Sequence, residues 1–576
     1  MYNRRYNNRI LAGTALALIL AVPLAVMAKN GNAPAAVPVA ATGAEQTATQ
    51  AAPAAVATEA NEPSAISTGA FPAPAVAAEQ TNTEQTATGQ TAASEQVTAP
   101  DPLAALDPAD RAIAEKLRDL LAAQSDKFFA GKNERAAVEA FYQARNLAPL
   151  WLERGIENAR AQSAIARLKN ADADGLEPSD YKTPSFAGLD PEALAAAELK
   201  LTRAVLTYAR HMQAGRFAYT RVSRNIELPQ AAPEPADVLR GVADAVDVSK
   251  ALELFSPQNE PYRKLKAALA ELRAKPGAAK NEAKQIETIV ANMERWRWYP
   301  RDLGDAHVLV NQPDFTLKVM HNGNQAWTTR VVIGKPSMAT PLLSETMKTI
   351  TVNPTWTVPQ SIVRNEYLPA LAQDPTVLSR MGLHVSYNSG GGVTITQPPG
   401  AGNALGRVRF NFRNRFSVYQ HDTPDKYYFA HEVRAYSHGC MRVQDPAKYA
   451  EVLLNIARPG EHWTAERITR MYGGSEQNLQ IQPTTVWVHL TYQTAFVDNA
   501  GKLQMRRDIY GLDSRTLAAI KSERGNLDRE PESKREEIAG SSPRKAANPA
   551  RTGALVQPTY STPGYARPFQ PQPIYR

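Results

Sequence analysis

Apolar residues recur at two different spacings along the central part of this chain. Between residues 107 and 298 they return every three to four positions, which is the spacing of one buried face of a helix. In the first such stretch these positions are Ile113, Leu117, Leu120 and Leu121. Asp107 and Pro108 precede them as a helix N-cap and a first-turn proline. The pattern predicts further helices over residues 134–146 and 191–214, and it places His211 as a solvated residue near the end of the second.

Near residue 306 the spacing changes from helical to alternating. Phe315, Leu317 and Val319 share one face, and residues 321–324 have the composition of a hairpin turn. Further strands are predicted over residues 408–412, 416–419 and 485–492. His489 lies opposite the apolar face of the last strand, so it is predicted to be structural.

A stretch of different composition interrupts the alternating part. Residues 359–406 combine a helical segment with three consecutive glycines and a proline-rich turn, and such excursions often cover a site. The two periodicities together predict an α+β multidomain protein. Its helical scaffold domain is placed over residues 104–300 and its mostly β domain over residues 301–517.

Both ends of the chain have compositions that differ from a packed core. Arginines precede an apolar run at residues 10–27, which predicts a signal peptide or an uncleaved membrane anchor over residues 1–28. Residues 29–103 are rich in Ala, Thr, Gln and Pro, and residues 518–576 are basic and rich in Pro. Both are predicted to be disordered, the first as a linker and the second as a tail. The remainder is expected to be exported.

The net charge restricts the classes of partner. A formal charge of +8 and a pI of about 9.2 favour contact with anionic surfaces, which outside the cytoplasm are wall polymers and lipid headgroups. The basic residues are scattered, and no nucleic-acid-binding motif accompanies them. No nucleic-acid partner is therefore expected.

Cys440 is the only cysteine in 576 residues, and it follows Ser437, His438 and Gly439. In an exported chain, a cysteine without an intramolecular partner stays free, forms a disulfide with another chain, or reacts. Alternatively, it is simply a small hydrophobic residue buried in the core. A nucleophilic thiol needs a neighbouring base. Gly439 favours a bend, so His421 is the expected proton acceptor and His438 is left to position or donate. Backbone amides around Gly439 and Cys440 are candidates for an oxyanion site.

The order of these residues resembles a known signature. His421, the fifteen residues that follow it, and the run from Ser437 to Arg442 are similar to the motif of L,D-transpeptidases with a YkuD catalytic domain. The resemblance covers roughly residues 104–515 and is to the large periplasmic members. Other segments that carry it are residues 141–151, 175–178, 292–298, 353–359, 397–400 and 403–406.

The resemblance implies a reaction on peptidoglycan stem peptides. Cys440 would attack the carbonyl between the L-centre of a stem tetrapeptide's diamino acid and its terminal D-alanine. D-alanine would leave, and a side-chain amine of a second stem would resolve the thioester into a 3-3 cross-link. His421 would be the general base, with its ring oriented by the Asp422 carbonyl, while Ser437, His438 and Gly439 shape the site.

The resemblance also implies which residues bind the substrate. Arg442 would hold a donor carboxylate or the loop, and a structural ion pair is the equal alternative. Tyr419 and Trp356 match positions near the site, and packing in the core is the alternative for each. Asp422 is the remaining predicted substrate-binding residue. Residues 359–406 would form the capping subdomain. The implied setting is the periplasm, with carbapenems as inhibitors and with no cofactor and no metal.

One departure and several alternatives stay open. Large relatives commonly carry a small peptidoglycan-binding domain, but residues 265–287 are too few to hold one here. The same acyl-enzyme serves to attach a protein to stems or to hydrolyse them, and a non-catalytic wall-binding scaffold is a further reading. His421, His431, His438 and Cys440 are also of residue types that suit zinc, although closely paired ligands are missing.

Overall fold

The computed structural model describes residues 102–275 and 280–522. The predicted signal or anchor segment and linker, up to residue 101, lie outside these residues, as does the tail beyond residue 522. Within the described ranges, no helix combines the length and the apolar character that crossing a membrane requires.

The first half of the described chain is helical, as the spacing predicted, and packs around two apolar cores. Its helices are α1 (Pro108–Phe128), α2 (Lys132–Ala144), α3 (Ala159–Lys169), α4 (Pro191–Ala214), α5 (Pro235–Asp244), α6 (Val248–Glu253), α7 (Glu260–Ala274) and α8 (Lys280–Trp296). Asp107 caps α1 by accepting a hydrogen bond from Ala109, and α4 ends before Gly215 as predicted. The strands in this half are β1 (Leu152–Glu153), β2 (Ile156–Glu157) and β3 (Ile226–Glu227).

The prediction that His211 is solvated is wrong. Its ring is buried, and Nδ1 lies 2.9 Å from the Tyr181 hydroxyl. The helix α4 runs through the centre of the bundle, so its last turn is covered on every side by neighbouring elements. The apolar pattern of a single helix does not show which other elements pack against its polar face.

The second half is mostly β. Its strands are β4 (Ala306–Asn311), β5 (Thr316–His321), β6 (Asn324–Gly334), β7 (Leu342–Val352), β8 (Trp356–Thr357), β9 (His384–Tyr387), β10 (Val393–Gln397), β11 (Val408–Phe412), β12 (Gln420–His421), β13 (Ala435–Ser437), β14 (Met441–Val443), β15 (Gln477–Gln480), β16 (Trp487–Thr491), β17 (Ala495–Val497) and β18 (Leu503–Met505). Eight of them form the path β11-β12-β14-β6-β5-β4-β16-β7, and the pairing of β11 with β7 closes it. The helices after β14 are α12 (Pro446–Ala457), α13 (Ala465–Arg470) and α14 (Leu512–Ser522), with α12 packed on the sheet core. His489 is buried between Ser344 and Leu303 O, as a structural residue.

The interruption between β7 and β11 forms a small unit with its own apolar core. It contains the sheet β8-β10-β9 and the helices α9 (Gln360–Ile362), α10 (Leu368–Gln373) and α11 (Val377–Arg380), with a π-helical turn at Val363–Tyr367. This unit begins with β8, three residues before the predicted insertion. We refer to residues 356–406 as the insertion.

Two predicted boundaries differ from the structure. Residues 416–419 are not a strand, because Ser417 has a positive φ of 54°. In addition, the Asn414 side chain donates a hydrogen bond to the Val418 carbonyl and accepts one from the Val418 N–H. The predicted domain end at residue 517 falls inside α14, which continues to Ser522 because its apolar face packs against α8.

The two halves are joined by β3, which pairs in parallel with β7, and by a buried cluster around Arg295. Arg295 is fully buried, and its guanidinium donates to Asp513 at 2.7 Å, to Asn292 at 2.8 Å and to the Tyr492 carbonyl at 3.1 Å. A buried cation needs such partners, because water is not there to solvate it. Helix α14 is therefore fixed to α8 through an ion pair.

Asp513→Ala is expected to destabilise the protein by about 3–5 kcal/mol, because it leaves Arg295 buried without its counterion. Thermal or denaturant unfolding of the variant measures this change. Asp119→Ala, which removes an exposed partner of Arg118, is the matched control and should stay within about 0.5 kcal/mol. Equal effects of the two substitutions would contradict the role of the cluster.

Candidate active site

Parallel pairing of β12 with β14 brings His421 and Cys440 together. The register sets Gln420 opposite Met441, and both of these side chains are buried in the core. Side chains alternate along a strand, so His421 and Cys440, each next to one of them, lie on the other face. The Met441 N–H also donates to the Tyr419 carbonyl at 3.0 Å, which continues the pairing to the residue beside the thiol. Two residues nineteen positions apart thus share one surface.

His421 is buried and has a defined orientation. Its Nδ1 lies 2.5 Å from the Asp422 carbonyl, so Nδ1–H donates there and Nε2 keeps a lone pair able to take a proton. Burial lowers the pKa of His421 to about 3, and the charges of Arg442 and Arg409 act in the same direction. The ring is therefore a neutral base at neutral pH.

Cys440 is half-buried, and burial raises the pKa of its thiol to about 11. The Tyr419 backbone and hydroxyl, and the charge of Arg409, oppose this rise without cancelling it. Among the described residues, no hydrogen bond joins Sγ to the His421 ring. The pair therefore rests as a thiol and a neutral imidazole, and an anionic sulfur forms only as the proton leaves.

Tyr419 and Trp356 stand beside this pair. The Tyr419 ring meets the His421 ring edge to face, with centroids 5.7 Å apart, and its hydroxyl interacts with both Trp356 and the thiol. Burial raises the pKa of Tyr419, so its hydroxyl remains a donor. Trp356 belongs to β8, at the start of the insertion. The structure thus brings both predicted aromatic residues to the candidate site.

The loop before Cys440 is held by Ser437. Its Oγ donates to the Cys440 carbonyl at 2.5 Å and accepts from the Gly439 N–H at 3.2 Å. Gly439 has a φ of 113°, which side chains rarely permit. In the described chain the Cys440 N–H donates to no protein acceptor, which leaves it available for a developing oxyanion.

Two further residues support this loop, and no sequence motif pointed to them. Thr340 Oγ1 donates to the Gly439 carbonyl at 2.8 Å and accepts from the Gly334 N–H at 2.9 Å. The Tyr510 hydroxyl donates to the Gly334 carbonyl at 2.6 Å. The contacts of Thr340 with Gly439 and of Tyr510 with Gly334 join residues 99 and 176 positions apart, so only the fold shows them.

His438 faces the insertion. Its Nε2 lies 2.7 Å from Glu366 Oε1, in the π-helical turn, and 3.5 Å from Lys335 Nζ. The structure therefore gives His438 a contact that joins the loop to the insertion, whereas a role in proton transfer stays a prediction.

Glu366→Gln is expected to raise KM for the donor about two- to fivefold with little change in kcat, since an exposed side-chain contact of this kind contributes at most about 1 kcal/mol. The physical reason is that the insertion is held less firmly over the site. Steady-state rates over a range of donor concentrations measure it. Glu115→Gln, on the exposed face of α1, is the control, and an unchanged KM in both variants would contradict the contact's role.

The remaining predicted binding residues are already engaged with the protein. Arg442 donates to Asp425 at 3.1 Å, which is the ion-pair alternative that the sequence left open. Asp422 accepts from the Arg407 N–H at 2.8 Å and pairs with Lys426. Their charges and carbonyls shape the site, and direct contact with a substrate stays a prediction.

The four residues of the zinc alternative are not grouped. The ring of His431 lies 2.9 Å from the Tyr436 hydroxyl, and that of His438 is at Glu366. Across residues 102–275 and 280–522, no three His, Cys, Asp or Glu side chains are arranged to hold a metal ion.

This fold and site are similar to those of the L,D-transpeptidases. Two family models match the chain: the Scaffold domain over residues 136–269 and the L,D-transpeptidase catalytic domain (YkuD) over residues 305–471. The chain therefore has a YkuD L,D-transpeptidase catalytic domain and a Scaffold domain. It is also 25% identical over 399 residues to a Haemophilus influenzae protein assigned by name to the L,D-transpeptidases, covering 65% of this chain and 77% of that one.

Solved L,D-transpeptidases also match part of the chain. One from Mycobacterium smegmatis is 12% identical, with a TM-score of 0.17, and the match covers 32% of this chain and 58% of that one. Another, solved in complex with imipenem, is 13% identical with the same TM-score, over 32% and 59%. The chain thus spans little more than half of these solved proteins, and the assignment rests on the family models.

Proposed function

We propose that this protein is a peptidoglycan L,D-transpeptidase that forms 3-3 cross-links through a thioester on Cys440. The observation that carries the proposal is the register of β12 and β14, which sets a free thiol on the same face as an oriented, neutral imidazole. A nucleophile and a general base on one face are the parts that acyl transfer requires.

In the first half of the reaction, Cys440 Sγ attacks the carbonyl carbon that joins the L-centre of the diamino acid to terminal D-alanine. The thiol proton passes to His421 Nε2, and the Cys440 N–H stabilises the oxyanion. The C–N bond then breaks, the D-alanine amine takes the proton from His421, and a thioester remains.

In the second half, the side-chain amine of another stem attacks the thioester carbon. His421 takes a proton from that amine, the C–S bond breaks, and the proton returns to sulfur. The products are a new amide and the starting enzyme. Burial favours the neutral forms of both side chains, so the first half begins from a thiol and a neutral imidazole, and the second from a thioester and a neutral imidazole.

The proposed setting is the periplasm, with the first segment acting as a signal or an inner-membrane anchor. The donor and acceptor stems are the proposed partners, and the basic charge suits an anionic wall. Carbapenems are proposed inhibitors because they acylate nucleophiles, and one solved L,D-transpeptidase is in complex with imipenem. A second solved protein is an avibactam carbamoyl enzyme.

Two related outcomes share the same thioester. If an amine of another protein resolves it, the enzyme attaches that protein to the stem; if water resolves it, the enzyme trims the stem. A protein that only binds the wall would need neither Cys440 nor His421.

Incubating the full chain with purified tetrapeptide muropeptides and analysing the products by mass spectrometry tests the proposal. We expect a dimer, formed with the loss of one D-alanine. Release of D-alanine without a dimer would support hydrolysis instead, and unchanged tetrapeptide would overturn the proposed activity.

A further inference from the structure

Arg409 lies next to His421 on the face that carries the thiol. On β11 it is the partner of His421 across the strand pair, and Val408 and Phe410 on either side of it are buried in the core. By alternation, Arg409 is on the same face as His421 and Cys440. Its guanidinium carbon lies 5.6 Å from the centroid of the Tyr419 ring.

This guanidinium is half-buried and has no acidic partner. In the described residues the Arg409 side chain makes no ion pair and no hydrogen bond, and its Nε is buried without an acceptor. By contrast, Arg442 on the other side of His421 is paired with Asp425. A partly desolvated cation without a counterion is costly, and the fork of a guanidinium fits a carboxylate with two parallel hydrogen bonds. The site thus offers one unpaired anion-binding group.

The charge of Arg409 reaches the reacting atoms. It opposes the rise in the pKa of Cys440 and contributes to the lowered pKa of His421. In the proposed donor, two atoms, the amide nitrogen and the α-carbon, separate the carboxylate of D-alanine from the carbonyl carbon that Cys440 attacks, a span of about 4 Å. A donor placed for attack therefore brings its terminal carboxylate into the neighbourhood of Arg409.

We propose that Arg409 binds the terminal carboxylate of the donor and so makes the enzyme select stems that end in a free D-alanine carboxylate. This inference rests on the proposed function. Arg442, held by Asp425, shapes the field around His421, whereas Arg409 contacts the substrate. Stems whose terminal carboxylate is neutralised lose this ion pair and are poor donors.

Two tetrapeptide donors, one ending in a carboxylate and one in a carboxamide, test the inference. We expect the unmodified protein to favour the carboxylate by about 10- to 100-fold in kcat/KM, as for a hydrogen bond to a charged group. In Arg409→Gln the preference should fall to about one, with the carboxylate donor as slow as the carboxamide. The ratio between donors does not depend on the amount of folded enzyme.

Two further variants complete the experiment. Arg409→Lys keeps the charge without the fork and should keep part of the preference. Arg413→Gln, an exposed arginine just beyond β11, should behave like the unmodified protein. A preference that persists in Arg409→Gln, or none in the unmodified protein, would overturn the inference. If the unmodified protein used neither donor, the proposed function itself would fail.

Discussion

Cys440→Ala is expected to abolish both the release of D-alanine and the formation of dimers, with a fall in rate of at least about 10⁴-fold. The reason is that no other side chain of the loop is free to act as the nucleophile. The nearest hydroxyl on the loop, Ser437 Oγ, donates to the Cys440 carbonyl and accepts from Gly439, so it is committed to holding the backbone. No other thiol exists in the chain to take over.

Cys440→Ser is the informative companion variant. It keeps a nucleophilic atom at the same place, but an alcohol is far harder to deprotonate than a thiol, so His421 alone should not restore the reaction. For each variant, the rates of D-alanine release and of dimer formation are measured by mass spectrometry of the muropeptides. Dimer formation by the alanine variant at the unmodified rate would require a mechanism without sulfur.

His421→Gln is expected to lower the rate of acylation about 10²- to 10⁴-fold, which is the range for removal of a general base. Glutamine keeps a donor for the Asp422 carbonyl, so the loss reflects proton transfer rather than a displaced loop. Rapid mixing with donor, acid quenching and intact-mass measurement give the acylation rate. His438→Gln is the control: that ring faces Glu366, so its loss should change the rate far less. Equal losses would contradict the assignment of the base.

The pH dependence of His421→Gln distinguishes a lost base from a damaged site. Burial raises the pKa of the thiol to about 11, so the thiolate fraction grows about tenfold per pH unit up to that value. Without its base the variant relies on that fraction, and its rate should rise with pH. The unmodified enzyme starts from a base whose pKa is lowered to about 3, so its acylation rate should stay nearly flat between about pH 5 and 9.

Apolar spacing predicted the large divisions of the fold because each element is governed by its own buried face. The change of period near residue 306 marks the change from helices to strands, and α4 ends at Gly215 because that residue adopts a positive φ of 84°. The prediction fails where a contact overrides the local pattern. Residues 416–419 are apolar enough for a strand, but the side chain of Asn414 bends them.

The candidate site could be predicted in part for the same reason. Cys440 and His421 are of reactive types within a recognisable spacing, so the sequence singles them out. The contributions of Thr340 and Glu366 come from packing between distant segments, and Arg409 acts through register with His421. An arginine in an alternating strand pattern is normally predicted to be an exposed surface residue. Whether it lies beside a catalytic residue depends on which strand pairs with its own strand.

The mass of the enzyme trapped during turnover is the most direct test of a thioester on Cys440. The full chain is mixed with a tetrapeptide donor in the absence of an acceptor, quenched in acid and digested, and the modified peptide is sequenced. We expect an added mass equal to the donor less D-alanine, carried on Cys440 and missing from Cys440→Ala. D-alanine release with no adduct on the unmodified enzyme, or with the adduct on another residue, would contradict it.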